Sequence, residues 1–575
     1  MTKKRSATDG GARTPYRGGP DHGTTAPSED GGLVRDLIQQ FADPLAFYRE
    51  LVQNAIDAGA TKILVKLVWE PDPAEPRGVL RASVTDDGTG MTREILEEDL
   101  TVLFRSTKES RDDAIGKFGI GFVSVLAVAP EVVVVDTSRG DGTRWSLHLH
   151  PDQTYDLYRA ETPAGRGTTV TLHVPLPADE QASFVERSEQ ALVRWCGHAR
   201  VPIQLLALAP GREEPVRDVR IDRPLAVDAL VSVRAQSRDG GTVVVAGLPA
   251  RGHRSGAFYN QGLLLHETHE HELGEVAFKV MDSRLEHTLS RDDVRRDAHH
   301  RRAVDFVAAT IRGPLLDAIA DAISNHALAF ARGGEEGGRR LVEVVAALGR
   351  TGLSVAPTKV RVPVIASAGK PETMPLWTLD ASAVSTFDGR TPLTEALATH
   401  GLGVIDVSFA RDDAERELVL AWLRETRARM LPRDVDVYTH VAPIEESELD
   451  RELASRTAEH LDAVARAPSE LVMARVYGRA AGRLAFGCTR RDAPWIADAS
   501  EIEADPLRFL LRPALVVSVD HPVAAAARER AGSSPELAAN LLARAILIER
   551  GVLDPLRATQ LTEHGLRAAL RGGAR

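Results

Sequence analysis

The sequence has few cysteines and no long apolar run, and each absence narrows the kind of protein that it can encode. The two cysteines, Cys196 and Cys488, lie too far apart to indicate a CxxC site or a disulfide framework, which favours reduced thiols. No stretch approaches the ~18 apolar residues of a membrane span. No apolar signal core follows Lys3, Lys4 and Arg5. We therefore expect a cytoplasmic protein without membrane partners.

An excess of positive charge is also lacking. The chain has 71 lysines and arginines against 82 aspartates and glutamates, so its formal net charge is −11. Proteins that function mainly by binding nucleic acid phosphates carry basic surfaces, so nucleic acid is not the expected partner. The 575 residues, 43% of them hydrophobic, are enough for three or four domains with separate cores. Residues 1–30 are rich in Gly, Thr, Ser, Asp and Pro and predict a disordered tail.

Residues 37–58 have the periodicity of one amphipathic helix or two short ones, because apolar residues recur at steps of three and four. At about 100° per residue, Glu50, Asn54, Asp57 and Ala58 share roughly a third of the circumference. The carboxamide oxygen of Asn54 is a neutral ligand suited to Mg²⁺. Glu50 could orient or deprotonate a water for attack on a phosphate. Taken alone, the pattern also fits an ordinary solvated helix face.

The run RASVTDDG, residues 81–88, predicts a strand followed by a loop. Asp86 would lie at the end of the strand, where its carboxylate could accept from an exocyclic amine such as N6 of adenine. Gly88 and Gly90, just before Met91, would let the backbone approach a flat base. A simple surface turn explains the same residues equally well.

A glycine-rich block, GKFGIGF, is followed by an apolar run that predicts the start of a helix. Backbone N–H groups at such a helix start bind phosphates, and the helix dipole adds to the attraction. The alternating strand GTTVTLHV supplies Thr168, which could reach a polar group of a nucleotide. The P-loop pattern G-x-x-x-x-G-K-[ST] is absent from the sequence. The expected phosphate-binding residues are Gly116, Lys117, Phe118, Gly119, Ile120, Gly121 and Phe122.

In this order the three blocks resemble the N-box, the D-x-G-x-G box and the glycine-rich box of the GHKL ATPases. Histidine kinases of this superfamily have a dimerising helix with a phosphoacceptor histidine before the N-box, and the short segment before residue 47 does not match one. Type II topoisomerases have a cleavage domain whose acidic cluster is not evident. MutL-type proteins carry G-F-R-G-E where this chain has GIGFVS, although ELVQNAIDAGAT resembles their N-box.

The heat-shock protein 90 family matches the most sequence. The segment LFRSTKES, residues 103–110, resembles the approach to its ATP lid and places Lys108 in the pocket-lining stretch. MDSRLEHTLSRDDV, residues 281–294, is similar to the middle-domain loop whose arginine reaches the γ-phosphate, and the matching residue is Arg291. Residues 514–531 resemble the C-terminal dimerisation region of bacterial members.

The resemblance implies an α/β multidomain protein. Its parts would be a GHKL ATP-binding domain at 31–185, an α/β middle domain at 186–435 and an α+β C-terminal dimerisation domain at 436–575. The first would be an α/β sandwich, with a mixed, mostly antiparallel sheet backed by helices. The implied function is that of a homodimeric, Mg²⁺-dependent ATPase and molecular chaperone for protein folding and the stress response. It would close on unfolded or partly folded client proteins.

The resemblance also assigns roles to residues. Glu50 and Arg291 would be catalytic, and Asn54 would hold Mg²⁺. ATP contacts are implied for Asn54, Asp57, Ala58, Asp86, Gly90, Met91, Lys108, Thr168 and the block from Gly116 to Phe122.

Some residues depart from the family pattern. The segment between Ser106 and Gly116 is shorter than the usual lid, Asp99 stands where an asparagine is expected, and Asp87 replaces a small residue. Two other functions therefore stay open at this point. One is a GHKL ATPase clamp that acts on DNA or in a defence system, and the other is a nucleotide sensor that does not hydrolyse ATP.

Local patterns predict further elements. Strands are expected at KILVKLVW, RASVTDD, EVVVVDT, RWSLHLH and GTTVTLHV. RGGEEGG, residues 332–338, predicts a flexible joint. MARVYGRAAGRLAFGC, residues 473–488, predicts a hairpin.

Overall fold

The computed structural model divides into two compact units. One comprises Met1–Pro249 and His253–Pro314, and the other comprises Ala250–Gly252 and Leu315–Arg575. The structure describes residues 14–15, 43–71, 77–100, 120–151, 154–161, 165–212, 214–252, 255–269, 273–288, 293–368, 370, 372–380, 382–426, 432–465, 468–489, 494–502 and 514–572.

The first unit is built on a mixed sheet of nine described strands in the order β1-β6-β5-β4-β7-β3-β2-β8-β9. β2 and β8 run parallel, and the other neighbours are antiparallel. The five strands predicted from the sequence correspond to β2, β3, β4, β5 and β7. The strands are β1 (Thr14–Pro15), β2 (Ile63–Pro71), β3 (Arg77–Asp86), β4 (Val132–Ser138), β5 (Thr143–Leu149), β6 (Tyr155–Glu161), β7 (Gly167–Pro177), β8 (Ile203–Leu208) and β9 (Pro215–Arg220).

Helices cover one face of this sheet, because the side chains of β2 and β3 alternate between buried and half-buried positions. The Tyr48 hydroxyl donates to Oγ of Ser188 over 3.1 Å and joins two of the covering helices. The helices are α1 (Phe47–Asp57), α2 (Ile120–Val123) and α3 (Gln181–Cys196). Short 3₁₀ turns lie at Pro44–Ala46, Ser124–Val128 and Ala178–Glu180, and a π-helical turn lies at Ile95–Leu100.

The helix expected after the glycine-rich block is shorter than its apolar run. α2 ends at Val123, and the 3₁₀ turn that follows stops where Ala129 adopts a φ of 50°. A left-handed residue ends a helix because it turns the chain away from the helix axis.

A second sheet of five strands follows in the first unit, in the order β10-β11-β14-β12-β13, with β12 and β14 parallel. The turn between β12 and β13 contains Gly262 at a φ of 87°, where a Cβ atom would lie 1.8 Å from the carbonyl oxygen of His198. Only glycine fits this close approach. The elements are β10 (Val231–Gln236), β11 (Thr242–Leu248), β12 (Ser255–Asn260), β13 (Leu263–Thr268), β14 (Ala277–Asp282) and α4 (Ala298–Thr310).

The second unit contains two five-stranded sheets with helices against them. Their strand orders are β16-β15-β18-β17-β19 and β22-β24-β21-β20-β23. The strands are β15 (Arg361–Ile365), β16 (Thr373–Pro375), β17 (Val384–Thr386), β18 (Val404–Asp406), β19 (Arg433–Asp434), β20 (Tyr438–Pro443), β21 (Glu470–Gly478), β22 (Ala485–Cys488), β23 (Trp495–Asp498) and β24 (Ala514–Ser518).

The helices of this unit are distributed along its length. They are α5 (Leu316–Ala331), α6 (Glu335–Thr351), α7 (Pro392–Thr399), α8 (Asp413–Thr426), α9 (Glu448–Val464), α10 (Ala499–Ile502), α11 (Pro522–Ala531), α12 (Pro535–Glu549) and α13 (Pro555–Gly572). Shorter turns occupy Leu376–Thr378 and Val435–Val437, and a π-helical turn at Ile311–Leu315 precedes α5.

Two local predictions in this unit are wrong. The two strands of the predicted hairpin are not neighbours, because the fully buried strand β24 lies between β21 and β22. The predicted flexible joint is a tight turn into α6. Gly337 and Gly338 are buried there, and a Cβ atom on Gly338 would lie 2.6 Å from Cβ of Phe409. These glycines serve close packing, which the sequence pattern did not distinguish from flexibility.

The α/β multidomain fold predicted from the sequence is confirmed, with a large mixed sheet backed by helices. The first sheet continues beyond residue 185 through β8 and β9. The domain boundaries at residues 185 and 435 stay predictions. Across the described part of the chain, no helix is both long enough and apolar enough to cross a membrane.

Gly338→Ala should destabilise the second unit. The added methyl group would meet the Cβ atom of Phe409, and overpacking of this kind costs about 1–3 kcal/mol. Gly349→Ala on the same helix is the matched control. No atom lies within 4 Å of its Cβ position, so it should stabilise the protein by about 0.5–1 kcal/mol. Urea unfolding measures both, and equal effects of the two substitutions would contradict the packing role.

Candidate functional site

Helix α1 carries three of the predicted site residues. Asn54 and Asp57 are exposed on it, whereas Glu50 lies deeper and is only 6% exposed. The side chain of Gln53 donates to Oδ1 of Asp57 over 3.0 Å. The amphipathic pattern therefore predicted the helix correctly, and it presents a carboxamide to solvent one turn beyond a buried carboxylate.

The carboxylate of Glu50 forms an ion pair with the preceding residue. Nη2 and Nε of Arg49 lie 3.1 and 3.3 Å from its Oε1 atom. Arg49 is itself only 5% exposed. A buried carboxylate is expensive unless it is paired, so this guanidinium favours the ionised form that a general base requires.

Asp86 ends strand β3, as predicted, with its carboxylate partly withdrawn from water. Burial raises the pKa of Asp86, while bonds from the backbone N–H groups of Gly88 and Thr168 oppose the shift. The bond from Gly88 to Oδ1 is 2.7 Å long. A carboxylate offers about four acceptor positions, so Asp86 retains capacity for a further donor.

The loop after Asp86 is bound to the end of α1. The N–H of Thr89 donates to the carbonyl of Ala58 over 2.9 Å. Gly90 has a φ of 67°, and a Cβ atom there would lie 2.1 Å from the carbonyl oxygen of Ser138. The second glycine of the D-x-G-x-G block is therefore required by backbone conformation and by close approach.

Two threonines complete this corner. The N–H of Met91 donates to Oγ1 of Thr137 over 2.9 Å, and Oγ1 of Thr137 lies 3.0 Å from Oγ1 of Thr168. Thr168 pairs with Asp86 across β7 and β3. The structure thus brings Ala58, Asp86, Gly90, Met91 and Thr168 together. Thr137 was missed by sequence reasoning, since a lone threonine near the end of a strand gives no signal.

The glycine-rich block is described only in part. Gly116, Lys117, Phe118 and Gly119 lie outside the described residues, as do Lys108 and Arg291, and of Ile120 only the backbone is described. The carbonyl of Gly121 accepts from Oγ of Ser124 over 2.6 Å. Phe122 is 5% exposed and packs in the main core of the unit. Its side chain therefore has a core role beside any contact that its backbone makes.

The described residues on either side of Arg291 pair with each other. His287 and Val294 form an antiparallel bridge, and the N–H of Thr288 donates to the carbonyl of Asp293 over 2.9 Å. Nδ1 of His266 on β13 lies 3.2 Å from Oδ1 of Asp293. The described residues on either side of the predicted catalytic arginine are thus paired with each other, and Asp293 also contacts the second sheet.

Asp87, which departs from the family pattern, has a structural role. Its carboxylate accepts from the N–H and the hydroxyl of Thr61, over 2.6 and 2.5 Å, and from the N–H of Lys62 over 3.2 Å. These bonds lower the pKa of Asp87 to about 2. Asp87 therefore ties the turn after α1 to the loop that follows Asp86.

Residues 48–163 match the family described as histidine kinase-, DNA gyrase B- and HSP90-like ATPases. The chain is also similar to proteins named chaperone protein HtpG. The one from Methylobacterium sp. (strain 4-46) is 31% identical over 30% of this chain and 32% of the relative. That of Alkalilimnicola ehrlichii is 33% identical over 29% of each chain, and that of Salinispora tropica is 28% identical over 36% of this chain and 34% of the relative.

The matched segment of the first unit is therefore similar to the ATPase domains of the GHKL class. The similarity to HtpG chaperones confirms the resemblance to the heat-shock protein 90 family that the motifs predicted. The chain spans about a third of the length of the curated relatives it matches.

Asp87→Asn should destabilise the first unit in a pH-dependent way. The pKa of Asp87 lies near 2 in the folded protein and near 4 in an unfolded chain. Its contribution is thus full above about pH 4 and is lost as the pH falls toward about 2. The urea midpoint should differ between wild type and variant most at about pH 7 and less at about pH 3. Thr61→Val keeps the backbone donors and should lower the urea midpoint less than Asp87→Asn does. A difference between wild type and Asp87→Asn that does not change with pH would contradict this role of Asp87.

Proposed function

We propose that the protein is an ATP-dependent molecular chaperone of the heat-shock protein 90 type that acts as a cytoplasmic homodimer. The observation that carries the proposal is the contact between the end of α1 and the loop after β3, where the partly buried acceptor Asp86 lies beside two close-packed glycines. The similarity to HtpG chaperones favours this branch of the GHKL class.

The residues of this corner fit an adenine nucleotide. Asp86 would accept from the exocyclic amine of the base, because two backbone donors leave part of its acceptor capacity open. The exposed carboxamide of Asn54 suits Mg²⁺, a hard ion that takes oxygen ligands and keeps several waters. When bound, Mg²⁺ would neutralise charge on the phosphates. The glycine block from Gly116 to Phe122 would hold those phosphates.

Glu50 would orient and deprotonate the attacking water. Its pairing with Arg49 favours the ionised carboxylate at a position from which water is largely excluded. Arg291 would stabilise charge that develops on the transferred phosphoryl group. Because the described residues on either side of Arg291 pair with each other and Asp293 contacts β13, hydrolysis would depend on a closure of the clamp that brings this part of the chain to the nucleotide.

The last helices of the second unit support pairing with a second copy. α12 and α13 expose apolar side chains, and such patches mark association surfaces. The exposed residues are Leu537, Leu541, Ile548, Leu556, Leu566 and Leu570.

Substitutions should separate ATP binding from ATP hydrolysis. Glu50→Gln keeps the shape of the side chain and should bind ATP while losing about 10²- to 10⁴-fold in kcat. Asp86→Asn should weaken ATP binding by roughly tenfold to a hundredfold, since the new amide group would face the N–H donors of Gly88 and Thr168. Calorimetry and steady-state hydrolysis measure both quantities.

Glu131→Ala, which removes an exposed carboxylate just before strand β4, is the control and should change neither quantity. Wild-type turnover in Glu50→Gln would remove Glu50 from the role of general base. Unchanged ATP affinity in Asp86→Asn would show that the base binds elsewhere.

The chaperone proposal is tested by asking what stimulates hydrolysis. ATP turnover of the wild type is measured alone, with a reduced and alkylated polypeptide that cannot fold, and with double-stranded DNA. Turnover that depends on Glu50 and responds to the unfolded polypeptide alone would support the chaperone. A response to DNA alone would support a DNA-associated clamp instead. ATP binding without turnover would identify a nucleotide sensor.

A further inference from the structure

The ion pair between Arg49 and Glu50 poses a geometric problem, because neighbouring residues on a helix point in directions about 100° apart and do not face each other. Both side chains are nevertheless buried, and Nη2 of Arg49 reaches Oε1 of Glu50 over 3.1 Å. The long arginine side chain must therefore be held in a bent path. Left to itself, it would lose considerable rotamer freedom in adopting that path.

The surface that holds the guanidinium is the indole ring of Trp195 on α3. Cζ of Arg49 lies 5.0 Å from the centre of this ring, within the range of a cation–π interaction. The neighbouring residue Cys196 is also close to the pair, since the charges of Arg49 and Glu50 both act on its thiol. The end of α3 thus forms one wall of the pocket around the ion pair.

The ring is in turn fixed by the segment that leads into α1. Nε1 of Trp195 donates to Oδ2 of Asp43 over 3.4 Å, while Oδ1 of Asp43 accepts from the N–H of Leu45 over 2.9 Å. One carboxylate therefore both caps the turn before α1 and orients the indole. Arg194 contributes a second guanidinium 4.9 Å from the centre of the same ring.

Trp195 also packs against two apolar clusters of the first unit. It packs against the core of the nine-stranded sheet and against a cluster of the second sheet that includes Ala257, Tyr259 and Leu264. A shift of the second sheet against the first would move this ring, and with it the partner of Glu50.

We propose that Trp195 is a positioning residue for ATP hydrolysis: its indole face holds Arg49 in the bent path that keeps the Glu50 carboxylate paired and correctly placed. The inference rests on the proposed function, in which Glu50 is the general base. Trp195 does not touch the nucleotide in this scheme, so it sets the rate of hydrolysis and leaves ATP affinity unchanged.

The test compares steady-state hydrolysis in Trp195→Leu, Trp195→Phe and Trp145→Leu. Trp195→Leu should lower kcat about tenfold, the worth of a largely desolvated cation–π contact, with KM for ATP within about twofold. Trp195→Phe keeps an aromatic face and should recover most of the rate. Trp145 on β5 is another half-buried tryptophan against the same core, so Trp145→Leu controls for loss of apolar packing.

A double-mutant cycle separates positioning from general damage. In an Arg49→Gln background, Trp195→Leu should change kcat by less than about twofold, because the side chain that the ring holds is gone. The changes that the two substitutions cause in the urea midpoint of the nucleotide-free protein should also be non-additive. This second measurement detects the contact between Arg49 and Trp195 independently of ATP hydrolysis.

Two results would overturn the inference alone. One is an unchanged kcat in Trp195→Leu beside wild-type turnover that depends on Glu50. The other is an equal loss of kcat in the wild-type and Arg49→Gln backgrounds. Wild-type turnover that does not depend on Glu50, or no turnover at all, would overturn the proposed role of Glu50 and this inference with it.

Discussion

The buried carboxylate of Glu50 is the constraint on which the arrangement of the first unit depends. A charge removed from water requires a partner, and the partner here is Arg49, which is buried as well. That pair requires a further surface to hold the guanidinium, and the end of α3 supplies it. Helices α1 and α3 are therefore joined by polar contacts as well as by the apolar core.

The second half of the site follows a different rule. Asp86 and its loop are organised by backbone bonds, from Gly88 and Thr168 to the carboxylate and from Thr89 to the end of α1. Such bonds need little side-chain chemistry and depend on glycines that allow close approach. The Asp86 loop contacts Ala58 at the end of α1, so the orientation of this helix sets the distance between Asp86 and Glu50.

The sequence predicted the parts of the site that repeat along one element. The face of α1 follows from helical periodicity, and Asp86 follows from a strand that ends in a turn. Contacts between elements distant in the chain were not predictable in this way. Trp195 lies far along the chain from Arg49, and nothing near it in the sequence indicates a contact with that residue. In the sequence, Asp87 is only a departure from the family pattern. The structure explains the aspartate, because three donors in the turn after α1 bind its carboxylate.

Sheet order shows the same limit at a larger scale. Two strands with a short connection predict a hairpin, but β24 lies between β21 and β22 and is buried along its whole length. Local pattern cannot reveal an insertion by a later strand, since pairing with β24 leaves the alternation of the earlier strands unchanged. The prediction made from the glycines in the first turn of α6 is wrong for a related reason. Their composition is that of a flexible joint, and only the neighbouring Phe409 shows that the missing side chains make room for packing. In both cases the decisive partner is remote in sequence, as Trp195 is from Arg49. The long-range contacts that define this fold therefore also define the environment of the buried carboxylate of Glu50.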